Sequence, residues 1–163
     1  MADNFLEKRM EQYKARATSQ GAARGASVAA LIEKSCATEF DGFVVRADQL
    51  HRIVAAAVKV VPAAPFRYKL LCGNDAVQCV AGVLSPTACI AIYAPAECCS
   101  FTLGRAVQAM LLQAAEIGLS GAVVKDFALQ ECGGLVPVAL LAVGRAAEFQ
   151  PLSACEVNSF IIE

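Results

Sequence analysis

The stretch that most constrains the fold is residues 102–121, TLGRAVQAMLLQAAEIGLSG, which has the pattern of one long helix. Winding it at ~100° per residue brings its polar side chains into a single stripe. These side chains are Arg105, Gln108, Gln113 and Glu116. The rest of the circumference is mainly Ala, Val, Leu, Met and Ile. A helix of this kind is expected at the centre of a domain or at a subunit interface, with most of its surface buried.

The end of this helix has a signal of its own. Gly118 stands where a left-handed C-terminal cap is expected, because glycine adopts that conformation without a steric penalty. Leu119 follows it, in the position of the apolar residue that packs back against the last turn. The sequence therefore predicts that the helix ends at this cap.

The overall composition indicates one domain with an apolar surface to cover. The chain has 163 residues, which is enough for one core. Hydrophobic residues make up 57% and charged residues 18%, so we expect a second subunit, in a homodimer, to cover part of the apolar surface. No run reaches the ~20 apolar residues of a membrane helix, and the opening MADNFLEKRMEQYK is unlike a secretory signal. We expect a cytoplasmic protein without a membrane partner.

The charge pattern argues against nucleic acid as a partner. The formal net charge is −1, and the like charges form no block beyond the mixed run at Glu7, Lys8 and Arg9. Binding to nucleic acid needs a basic face, which this pattern does not supply.

Eight cysteines leave two interpretations open. With one histidine and no Cys-x-x-Cys pair, the chain cannot assemble a standard zinc site locally, so we expect no metal and read most cysteines as small core residues. The alternative is thiol redox chemistry at Cys98 and Cys99, which come just before the long helix. A helix N-terminus lowers the pKa of a nearby thiol.

Helices and strands alternate along the chain, which predicts an α/β or α+β sandwich of one sheet and several helices. A helix is expected from Asp48 to just before Pro62, and Asn74 is expected to cap a short one at 75–83. The predicted strands and the one predicted helical turn complete the pattern. The strands are 66–72, 87–93, 122–125 and 136–144, and the helical turn is 127–132.

The two ends of the chain are expected to differ from its middle. Residues 1–26 read as a helical arm followed by a flexible, glycine-rich joint, and residues 27–163 as the main domain. Residues 156–162, EVNSFII, look extended and apolar, with no partner strand next to them in the sequence. We expect both ends to be exchanged between two subunits.

Two segments together resemble the flavin-dependent nitroreductase family. Residues 103–119 are similar to that family's central helix, which ends in Ala-x-x-x-Gly-Leu-Gly. Residues 135–144, LVPVALLAVG, followed by RAAE, are similar to its last core strand, which closes with Gly-Tyr-Pro-Ala-Glu. Residues 43–68 fit a third landmark, a helix leading into Pro-Ser-x-x-Asn-x-Gln-Pro-Trp-Arg-Phe.

The resemblance implies an α+β fold, with a single sheet flanked by helices in a nitroreductase-like sandwich, and an intertwined homodimer. FMN would be bound at the dimer interface. The implied activity is reduction of a nitro compound, a quinone or a similar small acceptor, with NAD(P)H as reductant and the flavin supplying the chemistry.

The resemblance also implies cofactor-binding positions. The family's Arg-Arg-Ser-x-Arg-x-Phe, anchored on Phe40, falls on residues 34–40, and its Pro-Ser falls on Pro62 and Ala63. The implied cofactor-binding residues are Lys34, Ser35, Cys36, Thr38, Ala63 and Gly121. No catalytic residue is implied.

This chain departs from the family pattern at the phosphate end of the implied site. Ser35 and Thr38 stand where the family has arginines, and only Lys34 keeps a positive charge. Arginine binds phosphate through paired, charge-assisted hydrogen bonds, which serine and threonine do not provide. An alternative therefore stays open: a flavin-free relative that keeps the dimeric scaffold as a binding or structural protein.

Overall fold

In the computed structural model of the chain, the structure describes residues 31–32, 35–37, 39–80, 86–124 and 126–147. All of these belong to one compact unit, Leu31–Glu163. The predicted N-terminal arm, the division at residue 26 and the extended C-terminal tail lie outside the described residues, and they stay predictions.

Seven elements make up the described fold. The helices are α1, Ala47–Val60; α2, Asn74–Gln78; and α3, Ser100–Glu116. The strands are β1, Arg67–Cys72; β2, Ala88–Ala94; β3, Ser120–Val124; and β4, Val136–Gly144. All four strands join one antiparallel sheet in the order β1-β2-β4-β3. The predicted α+β fold of one helix-flanked sheet is confirmed.

The first face of the sheet is covered by α1 and α3. Ile90 on β2 lies opposite Leu141 on β4, and both side chains point into this layer of the core. The helices contribute Ile53 from α1 and Met110 from α3, both with no exposed surface. The apolar positions recur at helical spacing on the helices and at every second residue on the strands, as these two geometries require.

The second face is covered mainly by irregular chain. Cys89, Tyr93 and Leu140 point to this side, where Phe40 and residues between 127 and 135 pack against them. Every residue of β2 is buried, since the strand is central and has apolar layers on both faces.

Pro137 lies in the central strand β4, where a missing backbone N–H would normally break the ladder. The register shifts here: Ile92 pairs with Ala139 and Tyr93 pairs with Pro137, so Val138 is an extra residue opposite β2. Proline inside sheets is confined to such bulges, to edges and to strand ends.

The C-terminal cap of α3 is confirmed. Gly118 has a φ of 78°, its N–H donates to the carbonyl of Ala115 at 3.1 Å, and the N–H of Leu119 donates to that of Ala114 at 2.9 Å. These two bonds define a Schellman motif, with Leu119 buried beneath it.

Two local predictions are wrong. Residues 127–132 form no helical turn: Phe127 bridges Val80, and Cys132 pairs with Leu135 around a turn of two glycines. Phe127 and Leu129 both pack onto the second face of the sheet. Residues two apart share one face in extended chain, whereas a helix would turn them to opposite sides. Asn74 makes no capping bond either, since α2 begins after Gly73 and is shorter than predicted.

Candidate functional site

Residues 35–37 lie beside the start of β3. Cys36 forms a parallel bridge with Gly121, and the N–H of Ala37 donates to the carbonyl of Gly121 at 2.9 Å. Three of the predicted cofactor-binding residues, Ser35, Cys36 and Gly121, are therefore brought together. Lys34 and Thr38 lie outside the described residues.

The polar groups of this cluster mostly form hydrogen bonds to other groups of the same chain. Ser35 is 2% exposed, and its hydroxyl donates to the carbonyl of Ile32 at 2.7 Å. A Cβ on Gly121 would lie 2.6 Å from Cδ2 of Leu111, so close packing against α3 accounts for the glycine. Cys36 is the exposed member of the cluster.

Phe40, on which the family motif was anchored, fixes the next segment against the end of β4. Its ring is buried over Gly144, where an added Cβ would lie 2.6 Å from the ring. The N–H of Asp41 donates to the carbonyl of Arg145 at 3.0 Å, and the N–H of Ala147 donates to that of Glu39 at 3.1 Å. Residues 39–41 therefore pair with residues 145–147.

Ala63 lies elsewhere, in the turn that joins α1 to β1. This turn forms one wall of a pocket of about 440 Å³. The opposite wall is the segment before α3 and its first turns. The pocket is lined by residues 60–66 and by Glu97, Cys98, Cys99, Thr102 and Arg105. Within the described chain its walls include neither residues 35–37 nor β3.

The electrostatics of this pocket come from the N-terminus of α3. The N–H of Thr102, its hydroxyl and the N–H of Phe101, in that order of effect, lower the pKa of the exposed Cys99 thiol. The two N–H groups belong to the start of the helix, where N–H groups without an intrahelical partner favour negative charge. Arg105 adds a cation, one turn further on, and donates to the carbonyl of Val60 at 3.4 Å.

The described residues offer neither a metal site nor a membrane span. No group of three or more His, Cys, Asp or Glu side chains among them could hold a metal ion. None of the helices they form has the length and apolar character that a membrane span requires.

No family model and no curated protein matches this sequence. Solved structures do match. A nitroreductase family protein from Clostridium difficile 630 is 15% identical with a TM-score of 0.65, over 84% of this chain and 94% of that one. A nitroreductase-like family protein from Bacillus cereus is 18% identical with a TM-score of 0.65, over 85% and 96%. A nitroreductase with bound FMN from Desulfitobacterium hafniense DCB-2 is 12% identical with a TM-score of 0.64, over 82% and 96%.

At this level of identity the matches define the fold, and the chain has the fold of the nitroreductases. The resemblance inferred from residues 103–119 and 135–144 is confirmed at that level.

Sequence reasoning missed the far wall of the pocket. In the sequence these residues have no evident connection. Cys98 comes before the long helix, Thr102 begins it, and Arg105 belongs to its polar stripe. Nothing in the sequence indicates that the turn at 61–66 packs beside the start of α3, since about 35 residues separate them. The available signal is Arg105, the one charged side chain in the first two turns of the helix.

Proposed function

We propose that the chain is an FMN-dependent oxidoreductase of the nitroreductase type. It would use NAD(P)H to reduce a nitro compound, a quinone or a similar small acceptor in the cytoplasm. The observation that carries this proposal is the pocket between the turn at Ala63 and the start of α3, in a chain with the nitroreductase fold.

The walls of this pocket suit one end of FMN. Its volume of about 440 Å³ is in the range of small-molecule sites. Pro62, Ala63 and Pro65 are exposed in this turn and would offer apolar surface to a flat aromatic ring. The helix N-terminus and Arg105 would stabilise negative charge on the reduced ring. Glu97 is the one carboxylate among the described lining residues, and it is exposed.

FMN, when bound, supplies the acceptance of a hydride and its transfer to an acceptor. The chain's own residues would then bind and orient the flavin and the acceptor. The small methyl side chain of Ala63 would let a ring approach the backbone of the turn, and Arg105 would supply positive charge to the bound flavin. No general acid or base from the chain is required.

The separation of the two candidate clusters favours a dimeric site. Ala63 lines the pocket at the start of α3, whereas Ser35, Cys36 and Gly121 lie at the edge of the sheet. In an intertwined homodimer, one cluster from each subunit would complete a site. Phe101, on the first turn of α3, supports a second subunit because its side chain is 73% exposed.

One observation favours a second candidate, a flavin-free dimeric protein. The hydroxyl of Ser35 donates its proton to the carbonyl of Ile32 at 2.7 Å, so this donor is already used within the chain. Lys34 is then the only cation that the resemblance implies for the phosphate end.

The absorption spectrum of freshly purified protein, followed by NADH and NADPH oxidation with a quinone acceptor, tests the proposal. We expect flavin bands in the visible region and acceptor-dependent turnover after FMN is added. A colourless protein that takes up no FMN and oxidises neither nucleotide would contradict it. If that protein still sediments as a dimer, the flavin-free reading stands.

A further inference from the structure

A larger groove runs along α1 on the side facing β1, one of the two edge strands of the sheet. Its volume is about 710 Å³, and it is open to solvent along its length. The walls come from α1, from the turn at residues 61–66 and from β1. This turn is shared with the smaller pocket, but the α3 residues that define that pocket are absent from the described lining of the groove.

The charged side chains of the groove, Lys59 and Arg67, are both basic. The uncharged walls include His51, and no Asp or Glu is among the described lining residues. The whole chain carries 15 Asp and Glu residues and 14 Lys and Arg residues, so this local excess of cations does not reflect the composition. Two cations without a carboxylate on the described walls favour an anionic ligand.

The basic groups are placed at the ends of an apolar strip. Lys59 in the last turn of α1 and Arg67 at the start of β1 flank the same turn, while His51 lies eight residues before Lys59, roughly 12 Å along the helix. Val58, between them on α1, is 46% exposed. Across the groove Tyr68 and Leu70 are half-buried. Covering an apolar surface of this kind with a ligand lowers the free energy of the complex.

Arg67 lines the groove together with Lys59. Within the described residues, one guanidinium nitrogen, Nη1, donates to the carbonyl of Phe66 at 3.0 Å. That bond orients the group, and its other N–H donors remain for a ligand.

We propose that the groove binds a small amphipathic monocarboxylic acid, with its carboxylate between Lys59 and Arg67 and its alkyl chain along α1 and β1. The ligand class follows from the one-sided charge, the apolar strip and the open shape. The inference goes beyond the oxidoreductase function and does not depend on bound flavin.

Calorimetric titration of the full chain with hexanoate, octanoate and decanoate at pH 7 tests whether the groove buries the alkyl chain of the ligand. Each added CH₂ that the groove buries should tighten binding about fourfold, until the groove is filled. Decanol and decylamine are the matched ligands without a negative charge, and both should bind more weakly than decanoate.

Variants that remove single charges test whether Lys59 and Arg67 bind the carboxylate of the ligand. Lys59→Gln and Arg67→Gln should each weaken decanoate binding about two- to fivefold, and together about tenfold. Arg52→Gln and Lys69→Gln remove exposed cations of the same two elements that do not line the groove, and they should leave binding unchanged. Val58→Asp places a carboxylate in the apolar strip and should abolish binding, while the circular dichroism spectrum shows that the chain still folds.

Three outcomes would overturn the proposal. The first is equal affinity for decylamine and decanoate, because charge would then play no part. The second is an equal loss in the two control variants. The third is no binding of any of the acids by the full chain; if a synthetic peptide of residues 156–163 then binds, the groove is a peptide site.

Discussion

Asp41 and Arg145 form an ion pair across 104 residues of sequence, in which Nε of Arg145 donates to the carboxylate of Asp41. The other carboxylate oxygen accepts the N–H of Phe43 at 2.9 Å, and the guanidinium lies 4.9 Å from the centre of the Phe43 ring. The turn at Gly42, with a φ of 79°, makes this arrangement possible. The pair therefore fastens the segment after the predicted flavin motif to the end of the last core strand.

The first prediction concerns the pH dependence of stability. The N–H of Phe43 first, and then Arg145, lower the pKa of Asp41 below its ordinary 3.8. A lowered carboxyl pKa contributes stability above the ordinary value, and that contribution is lost as the pH falls through the folded value. In urea unfolding at pH 7 the wild type should be more stable than Asp41→Asn, and the difference should shrink below about pH 4. Parallel profiles at all pH values would show that this carboxylate does not couple to folding.

The second prediction concerns Gly144. A Cβ there would lie 2.6 Å from Cδ1 and 2.8 Å from Cγ of the buried Phe40 ring. Gly144→Ala should reduce the free energy of unfolding by about 1–3 kcal/mol, as overpacking does. Gly121→Ala is the control, because its clash is with the end of a flexible leucine side chain and should cost less. Both values come from urea denaturation, and a larger loss at Gly121 would contradict this account.

The third prediction compares the effect on stability of replacing a glycine at the C-terminal cap of α3 and a glycine inside the same helix. Gly118→Ala forces a side chain into the left-handed conformation and should cost about 1–2 kcal/mol. Gly104 lies on the exposed surface of the same helix, with open space around its Cα. Gly104→Ala should therefore stabilise the protein by about 0.5–1 kcal/mol. Thermal unfolding of the two variants should shift in opposite directions; shifts of the same sign would refute the cap assignment.

The fourth prediction concerns thiol reactivity. The start of α3 lowers the pKa of Cys99, whereas burial first, with Cys79 and Cys72 nearby, raises the pKa of Cys89 to about 12. In native protein at pH 7.5, iodoacetamide should modify Cys99 first and leave Cys89 unmodified until urea unfolds the chain. Peptide mass spectrometry at several times measures both rates. Modification of Cys99 no faster than that of the exposed Cys72 would show that the helix N-terminus has no effect on reactivity.

Much of the fold could be predicted because local physics fixes it. The cap at Gly118 depends on neighbouring residues, and β4 is a long apolar strand that has few alternatives. The segment at 127–132 could not be predicted, because its conformation is set by packing against the second face of the sheet. The bulge at Val138 likewise depends on the register of a partner strand some 45 residues away.

The candidate site was less predictable, for a related reason. The motif alignment placed Ser35 and Ala63 in one cofactor site, but a sequence does not show which hydroxyl is already bonded within its own chain. The structure puts Ser35 against Ile32 and puts Ala63 in a pocket with Arg105. In the sequence Arg105 is only one member of the polar stripe of the long helix, because the turn that faces it is remote in sequence.

The most direct test is an equilibrium titration of FMN with the purified protein, followed by the quenching of flavin fluorescence. We predict saturable binding of one FMN per subunit, weakened about tenfold or more in Arg105→Gln and unchanged in Arg52→Gln, a cation outside the pocket. Fluorescence that stays constant up to millimolar protein, or an equal loss in both variants, would contradict a flavin site at the start of α3.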